Sequence, residues 1–108
     1  MLQLKPQQAL YKNPSIYMYQ PSLYSLKKAK SLKVEIKPSN QKNKKLDVFR
    51  NNIYKCSIGD IRYSDYPTYI NSHGLLYANQ RRNLYKKRHE NDRKVHGTAG
   101  YYADQILW

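Results

Sequence analysis

LDVFRNNIYKCSIGD, residues 46–60, decides the fold. Two runs with strand-forming residues, LDVFR (46–50) and IYKCSIG (53–59), flank Asn51 and Asn52. Asparagine tolerates positive φ, which a two-residue hairpin turn requires. The stretch therefore predicts a β-hairpin that Gly59 and Asp60 close. Upstream, SLKVEIKP (31–38) sets Val34 and Ile36 against Lys33, Glu35 and Lys37, the period-2 pattern of a further short strand, and SNQKNKK (39–45) interrupts it. Downstream, IRYSDYPTYI (61–70) predicts a turn at or near Pro67.

From Leu75 the period changes. Leu76, Leu84, Tyr85, Arg88 and His89 fall near one helical stripe, with Gln80, Arg82, Lys86, Lys87 and Glu90 largely outside it. That predicts a helix of about four turns which stops before Gly97. Thr98 is a fair N-cap for a short second helix from Ala99, in which Tyr102 and Ile106 stand one turn apart. The fold class is α+β: a small β-hairpin or three-stranded sheet, then a basic helix and a short C-terminal helix.

The first 43 residues read differently. Pro6, Pro14, Pro21 and Pro38 each remove a backbone donor and bias the preceding residue to extended conformations. The spacing predicts an extended arm over 1–43 beside a domain over 44–108. Tyr17, Tyr19, Leu23 and Tyr24 give that arm apolar anchors, so it is expected to lie along a partner and order there.

At 108 residues the chain forms one small domain at most, and a large enclosed active site is not expected. Its 12 Tyr, against 1 Phe and 1 Trp, give most large side chains a polar tip that suits an interface better than a dry core. The net charge of +13 points to nucleic acid, anionic lipid or acidic protein as a partner. Residues 1–45 hold ten Lys and one acid, whereas every Arg and six acids lie in 46–108. Lysine supplies diffuse field, and arginine's planar fork supports bidentate and stacked contacts. A mutational bias toward Lys, Asn, Tyr and Ile would account for part of the same composition. Cys56 stands alone, which excludes an intrachain disulfide scaffold and fits a reducing compartment. With no leader-like or membrane-length apolar run, the expectation is a soluble intracellular chain without a membrane partner.

RRNLYKKRHEN (81–91) concentrates the chemistry. Arg81, Arg82, Lys86 and Lys87 can neutralise phosphates while Tyr85 stacks on a base, and these five form the expected polyanion-binding set. Arg88 and His89 share the apolar stripe and are expected to serve as packing anchors, as is Trp108. His89, Glu90, Asp92 and His96 lack the i, i+4 spacing of a zinc helix and any Cys cluster, so no metal and no cofactor is expected. Cys56 has no His partner in sequence reach and reads as a structural thiol. No catalytic residue is assigned.

Gly59, then Ser64-Asp65-Tyr66, then Arg81-Arg82 with Tyr85, Arg88 and His89, then Ala99-Gly100 and the closing Leu107-Trp108 make an ordered set. In this order and character, residues 44–108 resemble a family of small uncharacterised proteins encoded by large double-stranded DNA viruses of algae and protists. HGLLYAN (73–79) makes a longer link before the basic helix than that family has. The resemblance implies a viral setting and a compact unit of helices and strands, and carries no activity. The expectation is a non-enzymatic virion or nucleoprotein component, present in the virion and, during assembly, inside the host cell. A capsid or other virion protein would be its partner, with nucleic acid as a further one. A free nucleic-acid-binding protein acting during infection is the alternative, and a nuclease-related enzyme a weaker one.

Overall fold

In the computed structural model, residues 19–108 are described. The hairpin forms as its sequence demands. Strands β2 (Lys44–Arg50) and β3 (Ile53–Asp60) pair antiparallel, and β1 (Glu35–Pro38) adds to the other edge of β2 in the order β1-β2-β3. Asn51 and Asn52 take φ of 52° and 65°, the left-handed pair that a tight hairpin turn needs. Leu46 faces Ile58 and Val48 faces Cys56 across the ladder, which aligns the apolar residues on one face. A register irregularity between Val48 and Phe49 adds local twist.

Four helices complete an α+β architecture: α1 (Leu23–Ser31), α2 (Tyr66–His73), α3 (Leu75–Arg88) and α4 (Ala99–Leu107). Thr98 caps α4 by accepting from Tyr101 N, and Tyr102, Ile106 and Leu107 go into the core. That core joins Ala29 of α1, Val34, Leu46, Val48, Ile58 and the three α4 residues in one cluster. Helices α2 and α3 pack as a hairpin, with Tyr66, Ala78 and Tyr85 buried.

The arm expected over 1–43 is corrected across its described part. Residues 23–31 are helical and 35–38 are a strand of the sheet, so the boundary placed between 43 and 44 divides one folded unit. The prolines permit this. Pro21 precedes the N-cap, outside the helical hydrogen bonds, and Ser22 Oγ accepts from Ser25 N to start α1. Pro38 closes an edge strand, where a missing N–H is tolerated. Helix α1 buries Ser25 and Ala29, and Ser25 Oγ donates to Ile106 O of α4 (2.8 Å). It stops at Lys33, which takes φ of 61° while Val34 N returns to Ala29 O, a Schellman closure that also presses Val34 onto Ala29. The turn expected near Pro67 is instead the first turn of α2. Asp65 caps it, and proline is at home in an N-terminal turn because no intrahelical donor is lost there.

Of the arm anchors, Tyr17 lies outside the described residues. Tyr19 Oη donates to Asp65 Oδ2 (2.5 Å), and Tyr24 packs against Tyr66 at 5.6 Å between ring centroids. The surface that receives these two rings is the chain's own domain. Leu23 remains 74% exposed.

Candidate nucleic-acid interface

Helix α3 carries the five residues expected to bind polyanion, and the fold separates them. Arg82 turns inward: Nε donates to the main-chain oxygen of Trp108 (2.7 Å), Nη2 donates to Tyr24 Oη (3.0 Å), and the guanidinium lies 3.7 Å from the centroid of Tyr66. Lys86 Nζ donates to Asp104 Oδ1 (2.7 Å), and Arg93 approaches the same carboxylate at 3.8 Å. These two cations hold α3 to its neighbours. Tyr85 is buried between Trp108 (4.4 Å) and His89 (4.3 Å), both stacked on it, so its faces are closed to a base. Its hydroxyl is pushed up to about 12 by burial and by the carboxylates of Asp104 and Asp92. Lys87 is exposed, and Arg81 sits with its guanidinium 5.6 Å from the Tyr69 ring at the wall of a cleft.

The expected packing anchors also part company. Trp108 packs on Tyr85 and is tilted against Tyr69. His89 stacks on Tyr85 and bonds Asp92 (3.2 Å). Arg88 is corrected: it is exposed, because the apolar stripe that was to carry it inward is not the buried one. Leu76 is 81% and Leu84 47% exposed, while Ala78 and Tyr85 are buried.

Two clefts flank α4. The first, of about 620 Å³, lies between the ends of β2 and β3 (Lys44, Gly59), the α3 face that carries Arg81, Tyr85 and the exposed Arg88, Asp92 and α4 (Gly100, Ala103, Leu107), with Trp108 and the rim residues Tyr63 and Ser64. Ten of the thirteen positions in the ordered set of sequence motifs (Gly59 to Trp108) line it. The other three form its frame, since Asp65 and Tyr66 start α2 and Arg82 ties Tyr66, Tyr24 and Trp108 together. Gly59 is required here. Its φ is +79°, and a Cβ would stand 2.7 Å from Leu107 Cδ1 and 2.9 Å from Lys45 Cδ. At the floor Lys45 Nζ donates to Asp65 Oδ2 (2.8 Å), an ion pair sealed from solvent that also takes hydrogen bonds from Tyr19 and Thr68. Burial alone would raise the Asp65 carboxyl, but the Lys45 charge and these hydrogen bonds carry it below its ordinary value. Burial and Asp65 together push the Tyr19 phenol up, so it stays protonated as a donor.

The second cleft, of about 580 Å³, is bounded by the C-terminal end of α1 (Ser31, Leu32, Lys33), by Arg50 and Lys55 on either side of the hairpin turn, and by His96, Gly97, Tyr101 and Tyr102. Among the described residues no carboxylate lines it. Arg50 Nη2 donates to Leu32 O (3.4 Å) and Tyr102 Oη (3.3 Å), and His96 stacks on Tyr101 at 4.4 Å. The sequence reading missed this site because its residues come from four segments, and only the folding of α1 brings Lys33 to the hairpin turn. The legible signal was the Ser22–Ser25 cap and the small residues Ser25 and Ala29 one turn apart.

Charge is apportioned systematically. Five of the seven carboxylates are in ion pairs: Asp60 with Arg62, Asp65 with Lys45, Glu90 with Arg93 and Lys94, Asp92 with His89, and Asp104 with Lys86 and Arg93. Arg62 holds the Asp60 carboxyl down to about 2. Among the described residues no ion pair engages Lys33, Lys44, Arg50, Lys55, Arg81, Lys87 or Arg88. Cys56 is half-buried on β3, and burial together with Asp47 pushes its thiol up, away from nucleophilic use. Among the described residues no group of three His, Cys, Asp or Glu side chains is placed to hold a metal ion, and no helix is long and apolar enough to cross a membrane. No protein-family model matches the chain, and neither does any curated protein or solved structure.

Proposed function

We propose that this chain is a non-enzymatic structural component of a virus particle that docks on packaged nucleic acid through a basic surface. The observation that carries the polyanion part is the second cleft, where Lys33, Arg50 and Lys55 converge with no carboxylate among the lining residues. Phosphates entering there meet uncompensated charge, and each contact releases counterions. Lys27 and Lys30, exposed on α1, extend the field beyond the cleft. The particle setting rests on the resemblance, whose positions gather around the first cleft, and on exposed Leu23 and Leu76, which offer apolar contact to neighbouring virion proteins.

Two measurements test the reading. Changing Lys33, Arg50 and Lys55 together to Gln is expected to reduce the slope of log affinity against log salt by roughly 2–3. An unchanged slope would move the nucleic-acid surface elsewhere or remove it. In purified particles the protein is expected at fixed copy number; its presence in infected-cell extract and absence from particles would make it a free nucleic-acid-binding protein instead.

A further inference from the structure

We infer that the first cleft receives an unstacked base of single-stranded nucleic acid, so that the protein reads strandedness as well as charge. This rests on the polyanion reading and assigns a ligand to a different site from the acid-free cleft. The two clefts divide by chemistry. The acid-free one suits a phosphate backbone running through it. The first has Asp60 and Asp92 at its border, and both are already engaged, with Arg62 and His89. Those carboxylates disfavour an extended polyanion track, while Arg81 and Arg88 remain without ion pairs among the described residues and can hold one or two phosphates.

The cleft's volume of about 620 Å³ falls in the range that encloses a small organic ligand, and its lining is more aromatic than a phosphate site requires. Trp108, Tyr85 and His89 form a continuous stack along one wall. At the rim Tyr63 is 69% exposed and has no aromatic partner among the described residues. A planar group with an attached phosphate satisfies both features at once: the base against Tyr63 and the outer side of His89, the phosphate on Arg88. An acidic peptide would use the cations and leave the rings idle. Base–aromatic stacking tolerates any sequence, because every base has a π face. A duplex keeps its bases stacked and cannot deliver one into the cleft.

Trp108 is the single tryptophan of the chain and ends the Trp108–Tyr85–His89 stack, so its fluorescence reports on the stack that a bound base would extend. The full-length protein is titrated with oligo(dT) and oligo(U) of about eight nucleotides, in the size range of single-strand sites. The same titration is made with an abasic oligomer of equal charge, a duplex, a mononucleotide and poly-Glu. Saturable quenching is expected with either single strand, and affinity about tenfold weaker for the abasic oligomer and the duplex. Tyr63→Ala is expected to abolish that preference, and Arg88→Gln to weaken quenching several-fold. Both residues are exposed, so the fold is kept; Lys33→Gln with Lys55→Gln should weaken total binding and leave the preference intact. Equal affinity for abasic and normal strands, tighter binding of duplex or poly-Glu, or a mononucleotide that matches the oligomers would each overturn the inference. Single strands that bind without a Trp108 response would overturn it while the polyanion reading stands. Loss of all polyanion binding would remove both.

Discussion

The hairpin and helix α3 bury their side chains by opposite rules. In the hairpin, apolar residues go in: Leu46, Val48 and Ile58 are enclosed, and alternation along the strands puts them there. In α3 the leucines stay out, while Arg82 and Lys86 point to partners inside the molecule. The difference lies in what each element faces. The sheet faces an apolar layer of α1 and α4, so hydropathy decides. Helix α3 faces tyrosine rings, the Trp108 main-chain oxygen and the Asp104 carboxylate, which reward a fixed cation more than a leucine. Lys45 is the hairpin's charged exception and supports the rule, since it is buried where Asp65 is fixed opposite it.

That exception offers the largest test. Asp65→Asn leaves the Lys45 ammonium buried without a counter-charge and is expected to cost roughly 3–5 kcal/mol at neutral pH, measured by urea unfolding. The wild type should show the linked pH dependence. Asp65 ionises below its ordinary carboxyl value in the folded state. Its contribution is therefore present above the unfolded value of about 4 and lost as pH falls through the folded one. The variant should lose less stability than the wild type over that acid window. If the two acid profiles ran parallel, the buried pair would not govern acid sensitivity. Next in size, Leu46→Ala in the hairpin should cost roughly 3–4 kcal/mol, because Leu46 is fully enclosed and its removal leaves a cavity between sheet and α4.

Arg82→Gln carries the comparison to α3. Two charge-assisted hydrogen bonds and the stack on Tyr66 would be lost, for an expected cost of roughly 2–3 kcal/mol. Trp108 fluorescence should shift as its main-chain oxygen is released. A variant as stable as the wild type would return Arg82 to the surface set in which its sequence neighbourhood placed it.

These cases also mark what could be read from the sequence. The hairpin, its Asn-Asn turn, the extent of α3 and the Thr98 cap were legible, because each is settled by residues adjacent in the chain. Helix α1 was not, since LYSLKKAKS buries a serine and an alanine and exposes Leu23, so its apolar pattern points away from the face that packs. Ser-Asp-Tyr-Pro did contain a helix start, an Asp cap with proline in the first turn, but an isolated proline between polar residues is also a turn signal. The fates of Arg82 and Lys86 depended on Trp108, Tyr66 and Asp104, which are distant in sequence and adjacent only after folding. The first cleft was half legible: its residues stand out as separate short motifs in the sequence, but their convergence appears only after folding.

The smallest effect tests the rule most sharply. Leu76→Gln with Leu84→Gln removes the two most apolar members of the stripe that sequence periodicity assigned to the α3 core. Hydropathy alone would make this double change costly, at about 2 kcal/mol or more for two buried leucines. Here both side chains are exposed, glutamine is nearly as good a helix former as leucine, and neither position touches the Arg82 or Lys86 contacts. The expected change in unfolding free energy is therefore within about 0.5 kcal/mol. If the leucines contact neighbouring virion proteins, the same variant should enter particles poorly while melting as the wild type does. A clear loss of stability in the isolated protein would mean that α3 buries its leucines in solution, and the contrast with the hairpin would fail.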